Sequence, residues 1–268
     1  MRRLAAWPAA AVARLRVLLC DIDGTMTSGG RLTGAVYRAM EQFDETGLAV
    51  VPVTGRPAGW CDHIARFWPV AAVVGENGAF YFRYDHTARR MIRAWARDAA
   101  QRQQDRSRLE TIGDAVLQQV PGTALAADQR YREADLAIDW CEDVPPLDAG
   151  SVQRIVDLLH ARGLTVKVSS IHVNAWFGAY DKLSMTHRLM REQFGIDLDT
   201  ERDRLAFVGD SPNDEPMFRF FPNSIAVANI ADFAATIEHK PTYVTRRAEG
   251  DGFAELARLI VARRRRAG

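Results

Sequence analysis

The sequence predicts an α/β fold, a doubly wound parallel sheet with an inserted α+β unit. Three observations predict it. Short apolar runs alternate with helical stretches over most of the chain, as parallel strands joined by crossover helices require. Several of those runs end in polar residues: Asp21 and Asp23, then Thr54-Gly55-Arg56, then Gly209-Asp210. A middle block, 85–179, changes character and reads as a self-contained unit set between core segments 1–84 and 180–268.

Length and composition set the bounds. The 268 residues suffice for one large domain or two modest ones, and a hydrophobic fraction of 47% allows a sizeable core. The formal net charge is +1, so no global field points to nucleic acid or to an anionic membrane. Cys20, Cys61 and Cys141 are far apart, odd in number and without metal-ligand spacing. They read as reduced, buried thiols of a cytoplasmic protein. No apolar run approaches the roughly 18 residues needed to span a bilayer. Residues 1–16 are rich in Arg and Ala and lack a separate apolar stretch, which argues against a secretory signal. This segment is longer than the fold needs, and truncation to residue 14 is expected to be tolerated. The basic tail at 263–266 reads as a solvated helix end rather than a nucleic-acid contact.

The elements follow in order. Val17–Cys20 is a short apolar strand that ends at Asp21 and Asp23. On extended chain, residues i and i+2 point to one side, so both carboxylates can face one small volume. Gly24 then turns the backbone away. Taken alone, the pair also fits an ordinary Asp-Gly turn. Thr33 is placed to cap a helix running to Thr46, which Gly47 ends. The next strand, 48–53, contains the awkward Pro52, which cannot donate to a ladder. A helix at 59–67 and a strand at 71–74 follow. Asn77-Gly78 signals a hairpin, with a returning strand at 79–84.

Within the middle block, 89–119 is charged and helical in period, 136–140 is a strand, and 149–161 is a helix closed by Gly163. Two strands, 164–169 and 172–177, complete it. Lys182 opens a helix that Gly195 ends. Strand 205–208 runs into Gly209-Asp210-Ser211-Pro212-Asn213-Asp214, and short elements near 215–221, 224–228, 231 and 242–244 lead to a final helix at 253–264.

Four strand ends or helix starts thus carry polar groups, and together they resemble the haloacid dehalogenase superfamily of aspartate-nucleophile phosphatases. Asp21-Ile22-Asp23-Gly24-Thr25 is similar to its first motif, Thr54-Gly55-Arg56 to the second, Lys182 to the third and Gly209 to Asp214 to the fourth. The stretch after Thr25 is too short for a cap, whereas the long interval from Thr54 to Lys182 can hold one. That placement, and Glu76-Asn77-Gly78, resemble subclass IIB, with its large α/β cap, which includes Cof-like, sucrose-phosphate and mannosyl-3-phosphoglycerate phosphatases.

The resemblance implies a Rossmann-like core, a C2-type cap and a Mg²⁺-dependent phosphatase acting on a small phosphorylated metabolite, with a sugar phosphate expected. Asp21 would be the nucleophile and Asp23 the general acid and base. Clustered carboxylates need a counter-charge, so Asp210 beside Asp21 implies a hard dication held by oxygen. Its ligands would be Asp21, the Asp23 carbonyl and Asp210, with Asp214 a ligand or an orienting group. Lys182, the hydroxyl and N–H of Thr54, Gly55 and the Asn213 amide would hold phosphoryl oxygens. Arg56 would touch substrate, pair with a carboxylate or face solvent. Glu76 and Asn77 would touch substrate or only shape the hairpin. His172 and Asn174 would meet substrate on one face of a cap strand, the competing reading being that Trp176 lies in the cap core and His172 on a solvated edge. The alternative activities are a phosphomannomutase-like phosphotransferase and a non-catalytic binding module.

Overall fold

A computed structural model of the chain describes residues 1–267. Six parallel strands form the central sheet, in the order Arg2–Arg3, Tyr243–Val244, Ser224–Ala226, Leu205–Gly209, Val17–Cys20 and Ala49–Pro52. Alternation along the strands explains the layers on both faces. Leu18, Cys20, Val50, Ala206 and Val208 pack into one apolar cluster with helices Gly34–Glu45 and Glu249–Ala267. Val17, Leu19, Val51, Leu205 and Phe207 face the other way, against helices Lys182–Leu189 and Glu215–Phe220. Both faces of each central strand are therefore buried, which is why these strands read as unbroken apolar runs.

Pro52 is accommodated at a break in the sheet. Val53 donates to the Cys20 carbonyl and Thr54 to the Val74 carbonyl. Backbone nitrogens alternate in direction, so that of Pro52 points away from Val17–Cys20. On that side only a single bridge, Val53 to Val74, continues the pairing, and a missing donor costs little there. Beyond it lies a three-stranded antiparallel sheet, Val73–Gly75, Phe80–Asp85 and Arg90–Trp95.

The expected helix from 89 is corrected by this sheet. Arg90–Trp95 is a strand, and the helix is Ala99–Gln119, capped by Asp98. Trp95 packs across the strands, tilted against Phe80 and edge-on to Phe82, and this aromatic cluster outweighs the Arg-rich local sequence. Because Arg90–Trp95 pairs with a core strand, we propose that the cap begins after Trp95 rather than at residue 85.

The cap is a four-stranded antiparallel sheet, in the order Thr165–Val168, His172–Trp176, Asp135–Asp139 and Ala124–Leu125. Leu136, Ile138, Val173 and Ala175 pack with Leu109, Val116, Ile155 and Leu159 of helices Ala99–Gln119 and Ala149–His160. The alternate positions, Asp135, Asp139, His172, Asn174 and Trp176, lie on the opposite side, turned toward the core and buried.

The N-terminal segment is integral, contrary to the expectation that it can be removed. Arg2–Arg3 adds an edge strand beside Tyr243–Val244. Leu4, Trp7, Val12 and Leu15 are buried in the core, and Trp7 Nε1 donates to Asn223 Oδ1 at 3.0 Å. The basic tail closes this arrangement: Arg263 donates to the carbonyls of Trp7 and Ala5, and Arg264 to those of Leu15 and Thr46. Cys20 and Cys61 are buried, whereas Cys141 is half-buried. No helix among the described residues is long and apolar enough to cross a membrane.

Candidate active site

The carboxyl ends of the central strands deliver the acidic groups, as open α/β sheets do. Asp21 still donates its N–H to the Val208 carbonyl at 2.9 Å, so its side chain leaves a fixed point of the sheet. Two glycines admit the neighbouring acids. Gly24 has φ +74°, and a Cβ there would stand 2.4 Å from Asp210 Oδ2. A Cβ on Gly209 would stand 2.3 Å from Asp214 Oδ2. One oxygen from each of Asp21, Asp210 and Asp214 lies within 4.8 Å of the others.

Lys182, at the first turn of its helix behind an Asp181–Ser184 capping box, reaches into this cluster. Its Nζ donates to Asp21 Oδ1 at 2.7 Å and to Asp214 Oδ1 at 2.8 Å. The other Asp214 oxygen accepts from the N–H of Asp210 at 3.1 Å. Asp214 therefore orients Lys182 and the fourth-motif loop with both oxygens already engaged. Asp210 accepts from Thr25 Oγ1 at 3.2 Å and Asn229 Nδ2 at 3.0 Å. Thr25 and Asn229 were not singled out in the sequence as site residues; Asn229 lies on a short 3₁₀ turn that carries no motif.

One lysine does not neutralise three buried carboxylates. Burial raises Asp21 to about 7, with Asp214 and Asp23 adding to the rise and Lys182 opposing it. Burial, then Asp21 and Asp214, push Asp210 well above the usual range. Lys182 stays charged because Asp21 and Asp214 overcome the opposing effect of burial. An all-oxygen, anionic, buried donor set with unmet negative charge fits a hard dication such as Mg²⁺.

The second group surrounds Asp23. The Arg56 guanidinium holds its carboxylate through Nε at 2.9 Å and Nη2 at 2.8 Å. Arg56 also reaches Asp128 at 3.3 Å and Glu142 at 2.7 Å, both from the cap. His172 Nε2 stands 2.8 Å from the second Glu142 oxygen. Burial would raise Glu142, but the neighbouring His172 and the hydrogen bond from Arg56 hold it down to about 2. Arg56, Asp23, His172, Asn174, Ser170 and Asn213 are among the residues that line a cavity of about 20 Å³ beside Asp21. That is room for about one water molecule. His172 is 2% exposed, so the solvated-edge reading is corrected: it faces the enclosed site. Trp176 is buried, with Nε1 donating to the Tyr180 carbonyl.

Other expected contacts differ. The Thr54 N–H is spent on the Val74 carbonyl, which leaves only its hydroxyl, and that already accepts from the Arg56 N–H at 3.0 Å. Gly55 lines the cavity and gives its carbonyl to Arg132 Nη1. Asn213 Oδ1 accepts from Ser211. Glu76 does not face the cavity. It is fully buried and accepts backbone N–H groups of Ala58 from the core and of Glu133, Ala134 and Asp135 from the cap. Burial, then Asp135, raise it to about 8. Asn77, at φ 54°, donates to Asp135 at 3.4 Å. The pair pins the cap to the core as well as shaping the hairpin.

Comparison with known proteins agrees with this geometry. Residues 18–100 match the model of the haloacid dehalogenase-like hydrolases. The phosphoglycolate phosphatase of Methanothrix thermoacetophila is 26% identical over 251 residues, covering 90% of this chain and 95% of that protein. The C-terminal domain of Candida albicans trehalose-6-phosphate phosphatase superposes with TM-score 0.70 at 14% identity, covering 96% of this chain and 97% of that one. The Synechocystis sucrose-phosphatase superposes with TM-score 0.63 at 15% identity, covering 92% and 98%. With the four motifs brought to one sheet edge under a cap inserted between the second and third, the chain is similar to the haloacid dehalogenase-like hydrolases and to these phosphatases.

Proposed function

We propose that this protein is a Mg²⁺-dependent phosphatase that hydrolyses a small sugar phosphate through an aspartyl-phosphate on Asp21. The observation that carries the reading is the convergence of Asp21, Asp210 and Asp214 on one point, with Lys182 bridging two of them. Asp21, the Asp23 carbonyl and Asp210 would hold the ion, with Asp214 orienting the set. When bound, Mg²⁺ would screen Asp21 from the anionic phosphoryl group.

The residues supply the rest. An Asp21 oxygen bonds to phosphorus while the bond from phosphorus to the leaving oxygen breaks, and Asp23 donates a proton to that oxygen. Asp23 then takes a proton from water. The water oxygen bonds to phosphorus, Asp21 is restored and inorganic phosphate leaves. Lys182 and the Thr54 hydroxyl stabilise the phosphoryl oxygens. Arg56 fixes the direction in which Asp23 faces.

A cavity of about 20 Å³ is too small for a sugar phosphate, so the cap would swing to admit substrate and exclude bulk water once shut. Hydroxyl and amide groups of Ser170, Asn174 and Asn213 suit a polyol, in line with the sugar-phosphate phosphatases of the same fold. The named activity of the sequence relative supports phosphoglycolate as the competing substrate. Three unpaired cysteines fit a reducing, cytoplasmic setting. Phosphate release from a panel of phosphorylated metabolites and from p-nitrophenyl phosphate, with and without Mg²⁺, tests the reading. Mg²⁺-dependent release that Asp21→Ala abolishes is expected; undiminished release by that variant rejects it.

A further inference from the structure

We infer that Glu142 is a specificity-determining residue that shuts anionic leaving groups out of the site by occupying a donor of Arg56 and placing a carboxylate beside it. The inference rests on the phosphatase reading and concerns the leaving-group side alone. Each buried basic side chain around the cavity already faces a carboxylate. Lys182 is taken by Asp21 and Asp214, and Arg132 by Asp128 and Asp135. Arg56 meets Asp23, Asp128 and Glu142, and the His172 imidazole meets Glu142. Of these carboxylates, Glu142 is the one that touches both Arg56 and His172, the two basic side chains that line the leaving-group side. A second anion placed there would find Arg56 and His172 already engaged and would stand beside carboxylates.

The loop that presents Glu142 is built for the purpose. Asp139, itself 1% exposed, accepts the N–H groups of Cys141, Glu142 and Asp143 at 3.0, 2.8 and 2.8 Å. The Glu142 backbone is thereby fixed over Arg56 independently of its own side chain. Arg56 Nη2 divides its donors between Asp23 and Glu142. Removing the Glu142 charge takes one carboxylate away from this side and frees an Nη2 donor of Arg56, which a substrate carboxylate can use.

The test is binding without turnover. Asp21→Asn protein, alone and combined with Glu142→Gln, is titrated calorimetrically in Mg²⁺ with 2-phosphoglycolate, whose leaving group bears a carboxylate, and with glucose 6-phosphate, whose leaving group is uncharged. Glu142→Gln is expected to shift the preference toward 2-phosphoglycolate by about tenfold or more, the scale of a buried charge contact. Glu142→Asp, which keeps the charge, should stay within about threefold of the parent. Equal loss for both ligands, an unmoved ratio, an Asp variant that behaves as the Gln variant, or no binding of either ligand would overturn the inference. The Glu142 side chain is 28% exposed, so the fold should survive, and melting temperatures check this. Failure of the phosphatase reading would show separately, as absence of phosphate release by protein with Asp21 intact.

Discussion

The two ends of the site are built differently. At the phosphoryl end, Asp21, Asp210, Asp214 and Lys182 all come from the core and hang from strand ends or a capped helix start. At the leaving-group end, Asp23 and Arg56 of the core meet Asp128, Glu142 and His172 of the cap. The first end is set by one rigid sheet and needs an added cation. The second already pairs its basic side chains with carboxylates and joins core to cap. On the proposed function, the core groups, Asp23 among them, would carry the chemistry and the cap groups the choice of substrate.

Mutations should separate the two. Asp21→Ala should lower kcat by about 10⁴-fold or more, the scale for loss of a nucleophile, read as phosphate release. Asp23→Asn should cost about 10²–10⁴-fold in kcat with little change in KM, as loss of a general acid does. Lys182→Met should lower kcat/KM by about 10²–10³-fold, since it removes fixed positive charge from the phosphoryl oxygens. His172→Ala, at the other end, should act mainly on KM and differ between substrates. A loss of kcat equal to that of Asp23→Asn would erase the distinction drawn here.

The charge contrast also predicts a pH effect. Asp21 titrates near 7 in the metal-free protein, above its ordinary 3.8. A carboxyl raised on folding favours the folded state most at low pH, and that contribution is lost as pH rises from about 4 through 7. Mg²⁺ must displace the Asp21 proton at pH 5.5 but meets an ionised Asp21 at pH 8. The rise in melting temperature on adding Mg²⁺ should therefore be larger at pH 8. An equal rise at both values would contradict the assignment of the ion to this cluster.

The same division decides what could be read from the sequence. The phosphoryl end was legible because each of its groups follows a local signal: an apolar run, a glycine, an acid or a lysine at a helix start. Glu142 and Asp128 carry no such signal, since only tertiary packing brings them to Arg56. Glu76 looked like part of a hairpin because its partners, the N–H groups of 133–135, lie in another unit. The core strands were legible from their buried faces. The strand Arg90–Trp95 was not, because its arginines hide an alternation that makes sense only beside Phe80 and Phe82. The N-terminal segment misled for a related reason, its few apolar residues being spread thinly among Arg and Ala. Trp7→Ala tests that correction and should destabilise the protein by about 3–5 kcal/mol in denaturant melts.

The most direct test of the central claim is a rapid acid quench of the Mg²⁺-loaded protein turning over a ³²P-labelled phosphate ester, followed by peptide mapping. The account predicts acid-stable label on Asp21 that is absent in Asp21→Asn; label on any other residue, or turnover that never labels the protein, would contradict it.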